Sequence, residues 1–181
     1  ILVRNSNGIN ISYNSITSSN GGVTAGTLNG IQVQASTNAP TATFTNTITY
    51  NTISLQSGAA TGGINGITYP SGSASATSIA NVTNNDFTRL NHSVASSGTI
   101  VALSKASGDF TTNITNNTFT NLTCNTTGSF TFISHSITMP TGGTQTISGN
   151  SIVTGFNKTG AGGTVTCLTS AGSSINGTTA T

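Results

Sequence analysis

One six-residue pattern occurs five times along this chain, and that recurrence constrains the fold more than any other feature. The copies are Ile11-Ser-Tyr-Asn14-Ser-Ile16, Ile48-Thr-Tyr-Asn51-Thr-Ile53, Val82-Thr-Asn-Asn85-Asp-Phe87, Ile114-Thr-Asn-Asn117-Thr-Phe119 and Ile147-Ser-Gly-Asn150-Ser-Ile152. Their asparagines are 37, 34, 32 and 33 residues apart. Three positions before each Asn stand Ile11, Ile48, Val82, Ile114 and Ile147; two positions after it stand only Ile or Phe. A second alternating segment begins 13 to 16 residues after each Asn: Gly30-Ile31-Gln-Val33, Gly66-Ile67-Thr-Tyr69, Ile100-Val101-Ala-Leu103, Phe130-Thr-Phe132 and Val165-Thr-Cys167. A weaker third segment leads into the motif, as in Thr41–Ile48 and from Asp109-Phe110 onward. Alternation of this kind marks half-buried strands. Gly, Ser, Asn and Pro clusters at 18–22, 57–63, 70–73 and 140–143 mark the corners.

Each repeat of about 33 residues therefore reads as three short strands, which cannot bury an apolar side alone. Stacked, they form an all-β parallel β-solenoid of about five coils, one domain over residues 1–181. Equivalent residues then lie roughly 4.8 Å apart along the axis. The composition follows from this. Asn, Ser and Thr make up 84 of 181 residues, and only Arg4, Asp86, Arg89, Lys105, Asp109 and Lys158 are charged. A solenoid needs only a thin internal line of Ile, Val and Phe, and charges stacked in register would repel. Asn amides both donate and accept, so the column Asn14, Asn51, Asn85, Asn117 and Asn150 is expected to form a hydrogen-bonded ladder. The column also suits a bend, because Asn tolerates left-handed backbone angles.

The Ile114-Thr-Asn-Asn117-Thr-Phe119 motif with its Gly-Ile second strand resembles the parallel β-helix repeat of the pectin-lyase-like superfamily. It is also similar to the Asn/Ser/Thr-rich strand-repeat proteins that bacteria, notably Bacteroidetes, export to their surfaces. The likeness runs from about Asn7 to Leu168. It implies a right-handed, three-sided β-helix, the hand also favoured for parallel crossovers.

The same residues narrow the function. A net charge of +2 with four scattered cations excludes a charge-steered nucleic-acid binder. The lack of any periodic helical stretch excludes a bundle or coiled coil, and no apolar run reaches the roughly 18 residues of a membrane helix. Relatives of the resembled fold cleave polysaccharides, which usually takes two carboxyl groups across one bond. Asp86 and Asp109 occupy different stretches of the repeat, so they are not expected to converge, and two separated Asp cannot build a calcium cage. His92 and His135 fall in unlike repeat positions and read as surface or edge histidines. Cys124 and Cys167 fit no metal spacing; a disulfide and two buried thiols both remain open. No enzyme activity, metal or cofactor is expected.

Two surface features remain. Tyr13 and Tyr50 share one column of adjacent repeats, as a sugar platform or as side chains packed on each other. Thr41 to Thr49 alternate in a rank resembling those of ice-binding solenoids, but opposite Thr45 and Thr47 the following repeats carry Ile79 and Asn81, then Thr111 and Asn113, then Thr144 and Thr146, so the rank is only partial. A solvated hydroxyl-rich face is the expectation there. The leading functional expectation is a structural or adhesive extracellular protein, a rigid stalk or filament subunit on the cell surface. A carbohydrate-binding or polysaccharide-cleaving module is the alternative. The chain opens mid-pattern at Ile1-Leu2-Val3 without Met, as expected of a mature product or a piece of something longer. Its partners are expected to be another copy stacked end to end, the rest of a longer chain, or surface glycans.

Overall fold

Parallel pairing of equivalent segments organises the whole molecule. The computed structural model describes residues 1–4, 8–21, 25–34, 43–70, 77–106, 108–172 and 179–180. The first coil comprises β1 (Leu2–Val3), β2 (Asn10–Ser12) and β3 (Ser15–Gly21), the second β4 (Leu28–Val33), β5 (Phe44–Thr49) and β6 (Thr52–Ser57). The third comprises β7 (Ile64–Tyr69), β8 (Ser78–Thr83) and β9 (Asp86–His92), the fourth β10 (Ile100–Lys105), β11 (Thr111–Thr115) and β12 (Thr118–Cys124). Then come β13 (Phe130–Ser136), β14 (Thr144–Ser148) and β15 (Ser151–Lys158), followed by β16 (Val165–Ala171) and β17 (Thr179–Ala180).

Every third strand pairs, giving three sheets: β1-β4-β7-β10-β13-β16, β2-β5-β8-β11-β14-β17 and β3-β6-β9-β12-β15. We call them the first, second and third sheets. Pairing is parallel throughout the described residues, as in Ile48↔Val82 and Val82↔Ile114. The protein is thus an all-β parallel β-solenoid with three sheets. The motif asparagines mark about four turns, averaging 34 residues from Asn14 to Asn150.

The core is the thin internal line that the repeat requires. Ile11, Ile48, Val82 and Ile114 are buried in one column of the second sheet, with Ile147 partly buried at its end. Ile53, Phe87 and Phe119 form the facing column of the third sheet, and Phe87 stacks on Phe119 with ring centroids 5.0 Å apart. Ile16 and Ile152, the end members of that column, are not fully buried; Ile152 is 45% exposed. Within the first sheet, Ile31↔Ile67, Ile67↔Leu103 and Leu103↔Ile133 stack in register.

The first sheet departs from the simple alternation expected of it. Gly66 and Ile67 are both buried, as are Ala102 and Leu103, and Phe132 and Ile133. At Gly66 the neighbouring strand's backbone and the Phe87 ring leave no room for a side chain. A Cβ on Gly66 would lie 2.4 Å from the Ala102 carbonyl oxygen and 2.6 Å from the Phe87 ring. Corners also differ in detail. The cluster at 57–63 joins β6 to β7, and in the 140–143 turn the Gly143 N–H donates to the Pro140 carbonyl at 2.9 Å. The cluster at 18–22 is instead mostly strand, since β3 runs to Gly21. Residues 41–42, 22 and 71–73 of the expected strand and corners lie outside the described residues.

Candidate functional site

The most regular polar structure in the molecule is the asparagine column at the corner between the second and third sheets. Asn14 Nδ2 donates to Asn51 Oδ1 at 2.9 Å, Asn51 to Asn85 at 2.9 Å, Asn85 to Asn117 at 3.0 Å, and Asn117 to Asn150 at 2.9 Å. Each of these Oδ1 atoms also accepts the backbone N–H of the preceding Asn, at 3.0 to 3.1 Å. The second amide hydrogen turns back toward the preceding coil: Asn51 donates to the Ile11 carbonyl, Asn85 to Ile48, Asn117 to Val82 and Asn150 to Ile114. A buried amide here uses both donors and both acceptor positions, so its burial costs little. Asn51, Asn85 and Asn117 are buried, while Asn14 and Asn150 are half-buried.

The left-handed backbone expected of these asparagines belongs instead to the residue before each. Tyr13, Tyr50, Asn84, Asn116 and Gly149 have φ of 57°, 54°, 55°, 56° and 65°. The reason is the ladder: each Asn must turn its side chain inward along the axis, so the corner's sharp bend falls on its neighbour. Asn and Gly are the ordinary occupants of such a position, and tyrosine is not.

Tyr13 and Tyr50 are therefore held outward at the corner, 77% and 51% exposed. Their rings stack at 5.0 Å between centroids with only 8° between planes. The rings thus pack on each other at the corner, and each keeps about half or more of its surface exposed.

The charged and titratable residues lie apart. Asp86, half-buried on the third sheet, accepts from the Thr118 and Thr120 hydroxyls at 2.8 and 2.7 Å. Asp109 is wholly buried and lies 3.1 Å from the equally buried Lys105 ammonium. The two carboxylates thus do not face one bond. Among the described residues no three of His, Cys, Asp and Glu cluster as a metal site requires. No helix there is long and apolar enough to cross a membrane.

The histidines correct the expectation of surface or edge positions: His92 and His135 are both about 1% exposed. His135 Nδ1 lies 2.9 Å from Gln145 Nε2, and burial, aided by the Lys105 charge, pushes its pKa down to about 4. Burial likewise lowers His92. The cysteines are free, Cys124 buried and Cys167 exposed, so neither alternative considered for them holds. Burial pushes the Cys124 thiol up to about 11.

Sequence reasoning missed the interior polar cluster at the corner between the first and second sheets. Tyr69, Lys105 and His135 form one column in register. Lys105 Nζ sits 4.2 Å from the Tyr69 ring centroid, and the Tyr69 hydroxyl accepts from Asn46 Nδ2 at 2.6 Å. The outward face of the second sheet has the register read from the sequence, Thr45↔Ile79 and Thr111↔Thr144, so its hydroxyl rank is interrupted.

An apolar hollow of about 380 Å³ lies at the last coil, lined in part by Phe119, Phe132, Ile147, Ile152 and Leu168. No family profile, no curated protein and no solved structure matches the chain.

Proposed function

We propose that this chain is a structural or adhesive extracellular protein, a rigid β-solenoid stalk or filament subunit at a cell surface. It is of the kind resembled by exported bacterial strand-repeat proteins and by the pectin-lyase-like architecture. The observation that carries the reading is the direction of the asparagine ladder. From Asn14 to Asn117, each side-chain amide gives one N–H to the asparagine of the next coil toward the C-terminal end. Asn14 Oδ1 has no donor among the described residues, whereas each interior Oδ1 has two. The N-terminal end of the ladder thus presents an open acceptor, whereas at the other end the Asn150 amide is turned onto the Ile114 and Ser148 carbonyls and Ile152, Val165 and Leu168 are exposed. An open acceptor at one end and exposed apolar strand residues at the other are both covered when a further coil stacks on them, whether that coil belongs to another copy or to a longer chain. Head-to-tail contacts propagate rather than close.

Electron microscopy and light scattering of the isolated chain at high concentration test this. Linear, end-joined oligomers are expected, and Asn14→Asp, which puts a charge at the acceptor end, should change their length distribution. Oligomers that join side to side, or a monomer at every concentration, would remove the filament reading. The glycan-binding alternative is tested on the same material. Binding to a glycan array that Tyr13→Ala and Tyr50→Ala abolish would replace the structural reading with a recognition one.

A further inference from the structure

Two of the chain's six charged side chains, Lys105 and Asp109, are buried together at 0% exposure. Elsewhere the sequence avoids charge, so this pair is an exception in need of a cause. Taking both ions out of water is costly, and their attraction often fails to offset that cost. The pair is also well confined. Lys105 closes β10, its Nζ is 3.1 Å from Asp109 Oδ2, and the Tyr69 ring covers it at 4.2 Å. The neutral His135, one strand along in the same column, adds no further charge.

We propose that Lys105 and Asp109 condense to an intramolecular amide, an isopeptide bond clamping the corner between the first and second sheets. A proton first passes from the ammonium to the carboxylate, giving a neutral amine beside a carboxylic acid. Low local polarity favours this exchange, and burial acts on Lys105 in the same direction. The Nζ lone pair then attacks Cγ, the Nζ–Cγ bond forms, and the Cγ–Oδ2 bond breaks. The departing oxygen takes one proton from the acid and one from the amine and leaves as water. No oxidant, metal or cofactor enters the balance. Holding the amine against the carboxyl supplies the effective concentration that free amines and acids lack in water. The product replaces two buried charges with one neutral amide, so the desolvation cost disappears with the ions.

Mass spectrometry of the denatured full-length chain decides the matter. The chain is expected to weigh one water less than its sequence, with trypsin failing to cut after Lys105 and a fragment joining Lys105 to Asp109. Lys105→Arg should restore the full mass. Asp109→Asn should close the same bond with loss of ammonia instead of water. A wild-type chain of full sequence mass, cut normally after Lys105, would overturn the proposal. Loss of water with normal cleavage after Lys105 would overturn it too, since that pattern marks a succinimide at Asp86 or Asp109.

Discussion

Truncating Asn85 removes the centre of the ladder, and the structure allows the cost to be worked out. Its side chain makes four hydrogen bonds. Nδ2 donates to the Ile48 carbonyl and to Asn117 Oδ1, and Oδ1 accepts from the Asn51 backbone N–H and from Asn51 Nδ2. In Asn85→Ala the Asn117 oxygen keeps the backbone N–H of residue 85. The two Asn51 donors lose their acceptor in a buried corner, and the Ile48 carbonyl loses one donor. An orphaned buried polar group costs about 1–3 kcal/mol, so two donors alone give roughly 2–6 kcal/mol. The same change at Asn14 is a built-in control. Asn14 is half-buried, and Asn51 Oδ1 would keep the Asn14 backbone N–H; about 1 kcal/mol or less is expected. Urea unfolding of both variants, followed by circular dichroism, gives the comparison directly. Because a solenoid can unfold coil by coil, a shallower transition in Asn85→Ala would also mark uncoupling of the stack at its centre. Equal midpoints for the two variants would refute the claim that buried amide satisfaction, rather than packing alone, holds this corner.

Three further outcomes follow from the geometry. Gly66→Ala should cost about 1–3 kcal/mol, read as a lowered melting temperature, because its Cβ would meet the Ala102 carbonyl at 2.4 Å; an unchanged melt would mean the first sheet has slack there. Ile114→Asp places a charge in a buried column and should cost several kcal/mol, or leave the chain unable to fold, whereas Ile114→Val should cost only about 1 kcal/mol. Stability should fall as pH drops from about 6.5 toward about 4. In that window the unfolded chain protonates His135 and the folded one does not, so the unfolded state binds more protons. His135→Gln should flatten that slope in pH-dependent urea titrations; a slope unaltered by the substitution would assign it elsewhere.

The three-strand repeat, the Ile/Val column and the asparagine ladder were all legible in the sequence for one physical reason. In-register stacking gives equivalent residues the same environment on every coil, so the requirement is written again about every 34 residues. Ile48, Val82 and Ile114 reveal each other, as do Asn51, Asn85 and Asn117. Features that occur once have no such echo. Lys105 and Asp109 look like two unrelated charges in the sequence, and the corner between β10 and β11 brings them together in the interior. His92 and His135 sit at unlike positions of the motif, and only the curl of the sheets carries both inside. Even within the repeated motif, the sequence identified the bend but not the residue that makes it. Asn commonly takes positive φ, yet here the ladder claims the Asn, and the backbone turns at Tyr13, Tyr50, Asn84, Asn116 and Gly149. Local preference marks where the chain can bend; hydrogen bonds between coils decide which residue bends.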